Sequence, residues 1–435
     1  MLTFLGFAMV IAFMYLIMSK RLTALIALIL VPIIFALFGG FASQIGPMML
    51  AGITKLAPTG VMLMFAILYF ALMIDSGLFD PAVRKILKMV KGDPMRISVG
   101  TAVLALVVSL DGDGATTYMI CVAAMLPLYS RIGMSPRIMA GLIILAGGVM
   151  NMTPWGGPTA RAASALHVDP SDIFVPMIPA MLAGVVAILV IAYFYGKRER
   201  ARLGELQLPG DEGDHSDISV SQFPEARRPK LIWFNAALTL VLMVALIMGL
   251  LPLPVLFMIA FSIAMIVNYP CLQAQKDRVA AHAGSVLAVV GLIFAAGIFT
   301  GILSGTGMVD AMSKSLLAVI PEAMGPYLAV ITAVVSMPFT FFMSNDAFYY
   351  GVLPVLAEAA SHYGISPVEM ARASIVGQPV HLLSPLVPST YLLVALAGIE
   401  FGDHQRFTLK WAVLVCVCIL IAALLMGIFP LYSSL

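Results

Sequence analysis

The sequence predicts an all-α polytopic membrane protein made of two inverted-topology repeats, each holding a re-entrant helical hairpin and a broken transmembrane helix. Three observations carry that expectation. First, 61% of the 435 residues are hydrophobic, only 11% are charged and mean hydropathy is +1.04, whereas a soluble domain has about 25% charged residues. Second, the charge is concentrated: 14 of the 34 residues from Lys197 to Lys230 are charged, leaving 32 for the other 401. Third, apolar runs of the roughly 20 residues needed to span a bilayer alternate with runs broken at mid-length by Gly, Pro and polar residues.

The elements follow in chain order. Leu2 to Met18 has no basic residue before it and no small-residue cleavage site, while Lys20 and Arg21 follow it, so it reads as an uncleaved first span. Leu22 to Phe38 and Gly60 to Leu78 are simple spans. Residues 95–128 form two apolar arms around SLDGDGATTY, which predicts a hairpin whose tip lies within the membrane. Residues 136–166 are interrupted by NMTPWGGPTAR. Proline lacks an amide donor and glycine loosens the backbone, so this helix should be unwound near its middle. Ile173 to Tyr195 closes the first repeat, 1–196, and a charged linker spans 197–230. The second repeat, 231–435, has spans at Leu231 to Leu250, Pro252 to Tyr269, Gly284 to Leu303 and Leu409 to Phe429. Its hairpin, 326–360, turns at MSNDAFYY, and its broken helix, 367–398, is interrupted by HLLSPLVPST.

An offset of 231 residues aligns the halves: Gly133, Ser135, Pro136, Pro154, Thr159 and Asp172 meet Gly364, Ser366, Pro367, Pro385, Thr390 and Asp403, and Tyr118 meets Tyr349. With the N-terminus outside, 20 of the 24 Lys and Arg residues face the cytoplasm, the linker among them; Lys55, Arg161, Lys314 and Arg372 do not. The two hairpins then open from opposite sides. Inverted repeats with broken helices meeting at the midplane point to secondary transport, in a multi-pass protein of the cell (inner or plasma) membrane. The formal net charge of +2 gives no reason to expect a nucleic-acid partner. The cysteines (Cys121, Cys271, Cys416, Cys418) lie in apolar runs without CxxC spacing and read as small core residues.

Asp111 and Asp113 in the first tip and Asp346 in the second are the candidate metal or coupling-ion residues. A carboxylate near the bilayer centre costs about 2.5 to 3.5 kcal/mol, which a cation, a proton, an Arg partner or a half-helix dipole must offset. Helix capping is the other role open to them. Thr116, Thr117, Ser344 and Asn345 add neutral tip groups that either cap or ligate. Asn151, Thr153 and Thr159 in the first break, with Ser384, Ser389 and Thr390 in the second, sit among freed backbone amides and carbonyls suited to an anion and a cation. Arg161 either grips a substrate carboxylate, pairs with Asp169, Asp172 or a hairpin acid, or snorkels to the outer interface. His381, at the second break, is a packing residue or a proton carrier. Asp75, Asp80 and Asp310 read as capping or solvated acids at helix ends.

At these tips and breaks the chain resembles the metal-citrate:proton symporter family, CitMHS, of the ion transporter superfamily. SLDGDGATTY paired with SNDAFYYGVLP carries the resemblance over essentially the whole length. GGVMNMTPWGGPTARAA is also similar to the unwound helices of the more distant divalent anion:sodium symporters. The resemblance implies import of citrate complexed with a divalent metal of the Mg or Ca type, driven by protons, through elevator-like movement of a hairpin-bearing domain, commonly in a homodimer. It implies no permanently bound cofactor. It implicates Asp111, Asp113, Thr116, Thr117, Asn151, Thr153, Thr159, Asn345, Asp346, Ser384 and Thr390.

Two other readings compete. One is a sodium- or proton-coupled carrier of another di- or tricarboxylate without metal. The other, from a different class, is an intramembrane aspartyl hydrolase, since DGDG is similar to a GxGD motif; but its order is wrong, no partner YD precedes it, and inverted duplication has no role in that chemistry.

Overall fold

The computed structural model describes residues 1–90, 93–112, 114–203, 223–318 and 321–433, with Met18, Asp111 and Pro224 described by backbone alone. The described residues are helical in every regular element. In the first half these are α1 (Leu2–Met18), α2 (Ala24–Phe38), α3 (Ile45–Asp75), α4 (Asp80–Val90), α5 (Pro94–Val108), α6 (Gly114–Ile132), α7 (Pro136–Met150), α8 (Gly157–Leu166) and α9 (Pro170–Leu203). The second half has α10 (Ile232–Ile247), α11 (Leu253–Asn268), α12 (Leu272–Gly305), α13 (Met308–Leu317), α14 (Leu328–Phe342), α15 (Leu353–Ser361), α16 (Pro367–Ser374), α17 (Gln378–His381), α18 (Pro388–Ala397) and α19 (Phe401–Leu425). Two apolar helices, a long helix, a short helix, a helical hairpin, an interrupted helix and a closing helix thus occur in the same order twice.

The chain turns between α5 and α6 and between α14 and α15, and helicity is interrupted between α7 and α8 and between α16 and α18. Asp93 caps α5 by accepting from the Met95 amide, with Pro94 in the first turn. The first hairpin turns through a 3-10 turn, Ser109–Asp111, and Gly112 at φ +78°, which a side chain would strain. In the second, Met343 is extended and a π-helical turn, Ala347–Val352, leads into α15; such turns recur at functional sites. The second broken helix carries an extra interruption between α16 and α17 that the sequence reading missed. The broken helices cross where a Cβ on Gly148 would lie 2.5 Å from the Cα of Pro379. These positions are 231 apart, the offset of the repeat.

Three expectations need correction. Helices α3, α9 and α12 have 31, 34 and 34 residues, beyond the expected segments: α3 already starts at Ile45 and continues through Pro58, while the polar end of α9 and the polar start of α12 stay helical where hydropathy alone suggests loop; α9 runs into the expected linker as far as Leu203. Cys121 and Cys416 are buried, but Cys271 is exposed, because it precedes the outward-facing first turns of α12. Asp75 neither caps nor meets water. It is 2% exposed and accepts from Arg278 Nη1 at 3.2 Å and His282 Nε2 at 2.8 Å, because the polar start of α12 lies against the end of α3. Asp80 is likewise buried and paired with Arg227 at 2.6 Å.

The largest buried apolar cluster draws on both hairpins, both broken helices, α9 and α19. A second gathers α3, α10 and α11, and a third α1, α2, α12 and α13. Helices α3 and α12 approach so closely that a Cβ on Gly52 would lie 1.9 Å from the Gly297 carbonyl oxygen. In lipid, close contact of this kind holds helices together where no hydrophobic force acts between them.

Candidate functional site

The first break begins where α7 ends at Met150, and its chain runs from Asn151 to Gly156 through short turns. A Cβ on Gly156 would lie 2.1 Å from the Asn151 carbonyl oxygen, so only glycine permits the fold-back. Trp155 donates from Nε1 to the Leu110 carbonyl at 2.9 Å, tying the break to the first hairpin tip. Its ring packs against Phe70 of α3 and Phe257 of α11, at 4.8 and 5.5 Å between centroids.

Tips and breaks converge on a cavity of about 220 Å³. Ser109 and Thr117 of the first hairpin line it, with Asn151 of the first break, Arg161 of α8, Asn345 of the second tip, and His381 and Ser389 of α17 and α18, either side of the second break. At its edge Arg161 Nε donates to Asp346 Oδ1 at 2.6 Å, with side chains 23% and 16% exposed. The choice left open for Arg161 therefore falls on a hairpin acid in this structure. The contact joins α8, which follows the first break, to the second tip.

Several of the cavity's neutral groups are unsatisfied. Ser109 Oγ, Thr117 Oγ1 and Asn345 Oδ1 are buried without hydrogen-bond partners among the described residues, as are Thr153 Oγ1 in the break and Thr159 Oγ1 at the start of α8. A buried polar group left unpaired costs about 1 to 3 kcal/mol, and such groups gathered at one place fit a ligand that supplies their partners. The second break differs. Ser384 Oγ donates to the Phe341 carbonyl at 2.6 Å and Thr390 Oγ1 to the Leu382 carbonyl at 2.5 Å. The repeat offset pairs these two with Thr153 and Thr159, so one set of equivalent hydroxyls is bound to backbone and the other is not.

The remaining candidates divide similarly. Ser344 accepts from the Ala347 amide at 3.2 Å, a capping contact. Thr116 lies half-buried in the first turn of α6 and is absent from the cavity wall. His381 bonds through Nδ1 to the Thr340 carbonyl at 2.7 Å; since a carbonyl only accepts, Nδ1 carries the proton and Nε2 remains to accept one. Asp113 lies outside the described residues, and Asp111 is described only as the end of the 3-10 turn. Sequence reasoning missed Ser109 and Trp155, although both fall within the motifs that marked the tip and the break.

The sequence pattern of the CitMHS family, described as "Citrate transporter", matches residues 7–377. The chain is 63% identical to a "Citrate transporter" of Bacillus subtilis (strain 168) over 98% of this chain and 99% of that protein. It is 56% identical to the "Mg(2+)/citrate complex secondary transporter" of the same organism, again over 98% and 99%. Among solved structures, the YdaH transporter of Alcanivorax borkumensis matches with a TM-score of 0.57, 14% identity and 90% of each chain covered; that likeness concerns the fold.

Proposed function

The chain belongs to the CitMHS citrate transporter family, whose members are transporters rather than enzymes, and from that membership we propose that it imports citrate as a divalent metal complex in symport with protons. The hydrolase reading falls with the family assignment. The substrate site is the cavity between tips and breaks. The observation that carries this reading is the set of unpartnered oxygens, Ser109, Thr117 and Asn345, around the Arg161–Asp346 pair.

The pair suggests how protons enter. While Asp346 holds Arg161 the two carry no net charge, and an arriving anion gains little from either. Protonation of Asp346 removes the competitor, and the guanidinium turns its planar fork to a citrate carboxylate. A trivalent anion with a divalent cation keeps one negative charge, which one guanidinium balances. Asp111 and Asp113, whose side chains lie outside the described part of the structure, face the metal or carry further protons in this scheme. Each unit of pH gradient supplies about 1.4 kcal/mol per proton. We further propose that the hairpin-bearing helices move elevator-like against the helices around α3 and α12. We place the N-terminus outside, the linker in the cytoplasm and the protein in a homodimer.

The test is radiolabelled citrate uptake into proteoliposomes across a panel of divalent ions, under imposed pH or sodium gradients. The reading expects uptake that needs a divalent ion and follows the pH gradient. Equal uptake in a chelator removes the metal complex, and uptake that follows sodium alone removes proton symport.

A further inference from the structure

Helix α4 joins the long α3 to the first hairpin and has a sharply two-sided composition. Val83, Ile86, Leu87 and Val90 are buried, while Arg84, Lys85 and Lys88 fall on the other side at i, i+3 and i, i+4 spacing. Lys85, Lys88 and Met89 are exposed. Next to this face, α4 and α5 enclose an open groove of about 880 Å³. Its rim carries Arg84, Lys85, Lys88 and Arg96, and its wall carries Val99 and Val103. The helices can lie this close because residue 100 is glycine, where a Cβ would come within 3.0 Å of Val90 Cγ2.

The charges on the rim are unbalanced. Asp93 forms ion pairs with Arg200 at 3.5 Å and Arg96 at 3.6 Å, which neutralises part of the charge at that end. Among the described residues, no ion pair involves Arg84, Lys85 or Lys88. An apolar channel ending in clustered cations, on an amphipathic helix of a membrane protein, is complementary to one amphiphile: acyl chains along Val99 and Val103, a negative headgroup among the cations.

We infer that the α4–α5 groove is a binding site for an anionic phospholipid. The site lies apart from the citrate cavity and does not depend on how that cavity works. Its occupant bridges α4 and the first arm of the hairpin, and so stabilises the joint between α3 and the hairpin-bearing helices.

The test uses the purified full chain in a neutral detergent, titrated with phosphatidylglycerol or phosphatidylcholine and followed by native mass spectrometry and thermal unfolding. Phosphatidylglycerol should bind and raise the unfolding midpoint more than phosphatidylcholine does. The Arg84→Gln/Lys85→Gln/Lys88→Gln variant should bind it more weakly by on the order of 100-fold. Lys85→Arg/Lys88→Arg, which keeps the charge, should behave as wild type and serves as the check on folding. Equal binding of both lipids, a glutamine variant that keeps its preference for phosphatidylglycerol, or an equal thermal shift from glycerol phosphate alone would each overturn the assignment.

Discussion

Arg161 of α8, just after the first break, and Asp346 of the second hairpin tip, 185 positions apart, meet at 2.6 Å. With side chains only 23% and 16% exposed, either charge left alone would be costly, so each offsets the other. Arg161→Gln should therefore destabilise the protein more than the double change Arg161→Gln/Asp346→Asn does. Unfolding midpoints in detergent check this; a double variant less stable than the single one contradicts a compensating pair.

The two breaks give a comparison internal to the molecule. Ser384→Ala and Thr390→Val each remove a hydroxyl bonded to a backbone carbonyl and should cost about 1 kcal/mol of stability. Thr153→Val and Thr159→Val remove hydroxyls that have no partner and should leave stability unchanged or raise it, while lowering citrate uptake. Thermal unfolding paired with uptake separates the two sets.

Trp155→Phe keeps the ring against Phe70 and Phe257 but takes the donor from the Leu110 carbonyl at the first tip. It should reduce uptake at unchanged membrane expression. Trp233, 86% exposed, is the control, and Trp233→Phe should have no effect.

His167, in the turn joining α8 to α9, has its pKa lowered from 6.5 to about 4, first by burial and then by the charge of Lys55. The unfolded chain therefore binds the proton more readily. Stability is full above about 6.5 and falls as pH drops toward 4. His167→Asn, which tolerates the left-handed backbone at φ +56°, should flatten that part of the curve in unfolding measured against pH.

How much the sequence discloses depends on the distance over which each feature is determined. The hairpins and breaks are local: SLDGDG, MSND and NMTPWGGP put polar and helix-breaking residues inside apolar runs, and the backbone turns there. The pairing of Arg161 with Asp346 is not local, and the residues alone leave a substrate carboxylate, Asp169, Asp172, a hairpin acid and the outer interface all open to Arg161. Asp75 looked like a solvated helix end because its partners, Arg278 and His282, lie more than 200 positions away on the polar start of α12. The interruption before α17 was missed since Gly377 and Pro379 sit in a run otherwise rich in apolar residues. Nor does sequence distinguish the bonded hydroxyls of Ser384 and Thr390 from the unbonded ones of Thr153 and Thr159, because the same residue types stand at matching positions.

The proposed coupling rests on Asp346 surrendering Arg161 when it takes a proton. Citrate uptake into proteoliposomes against external pH, for wild type and Asp346→Asn, tests this most directly. Wild-type uptake should rise as the outside is acidified, while the variant, its Arg161 permanently released, should still bind metal-citrate but lose that rise. An Asp346→Asn protein with the wild-type pH profile would contradict the account.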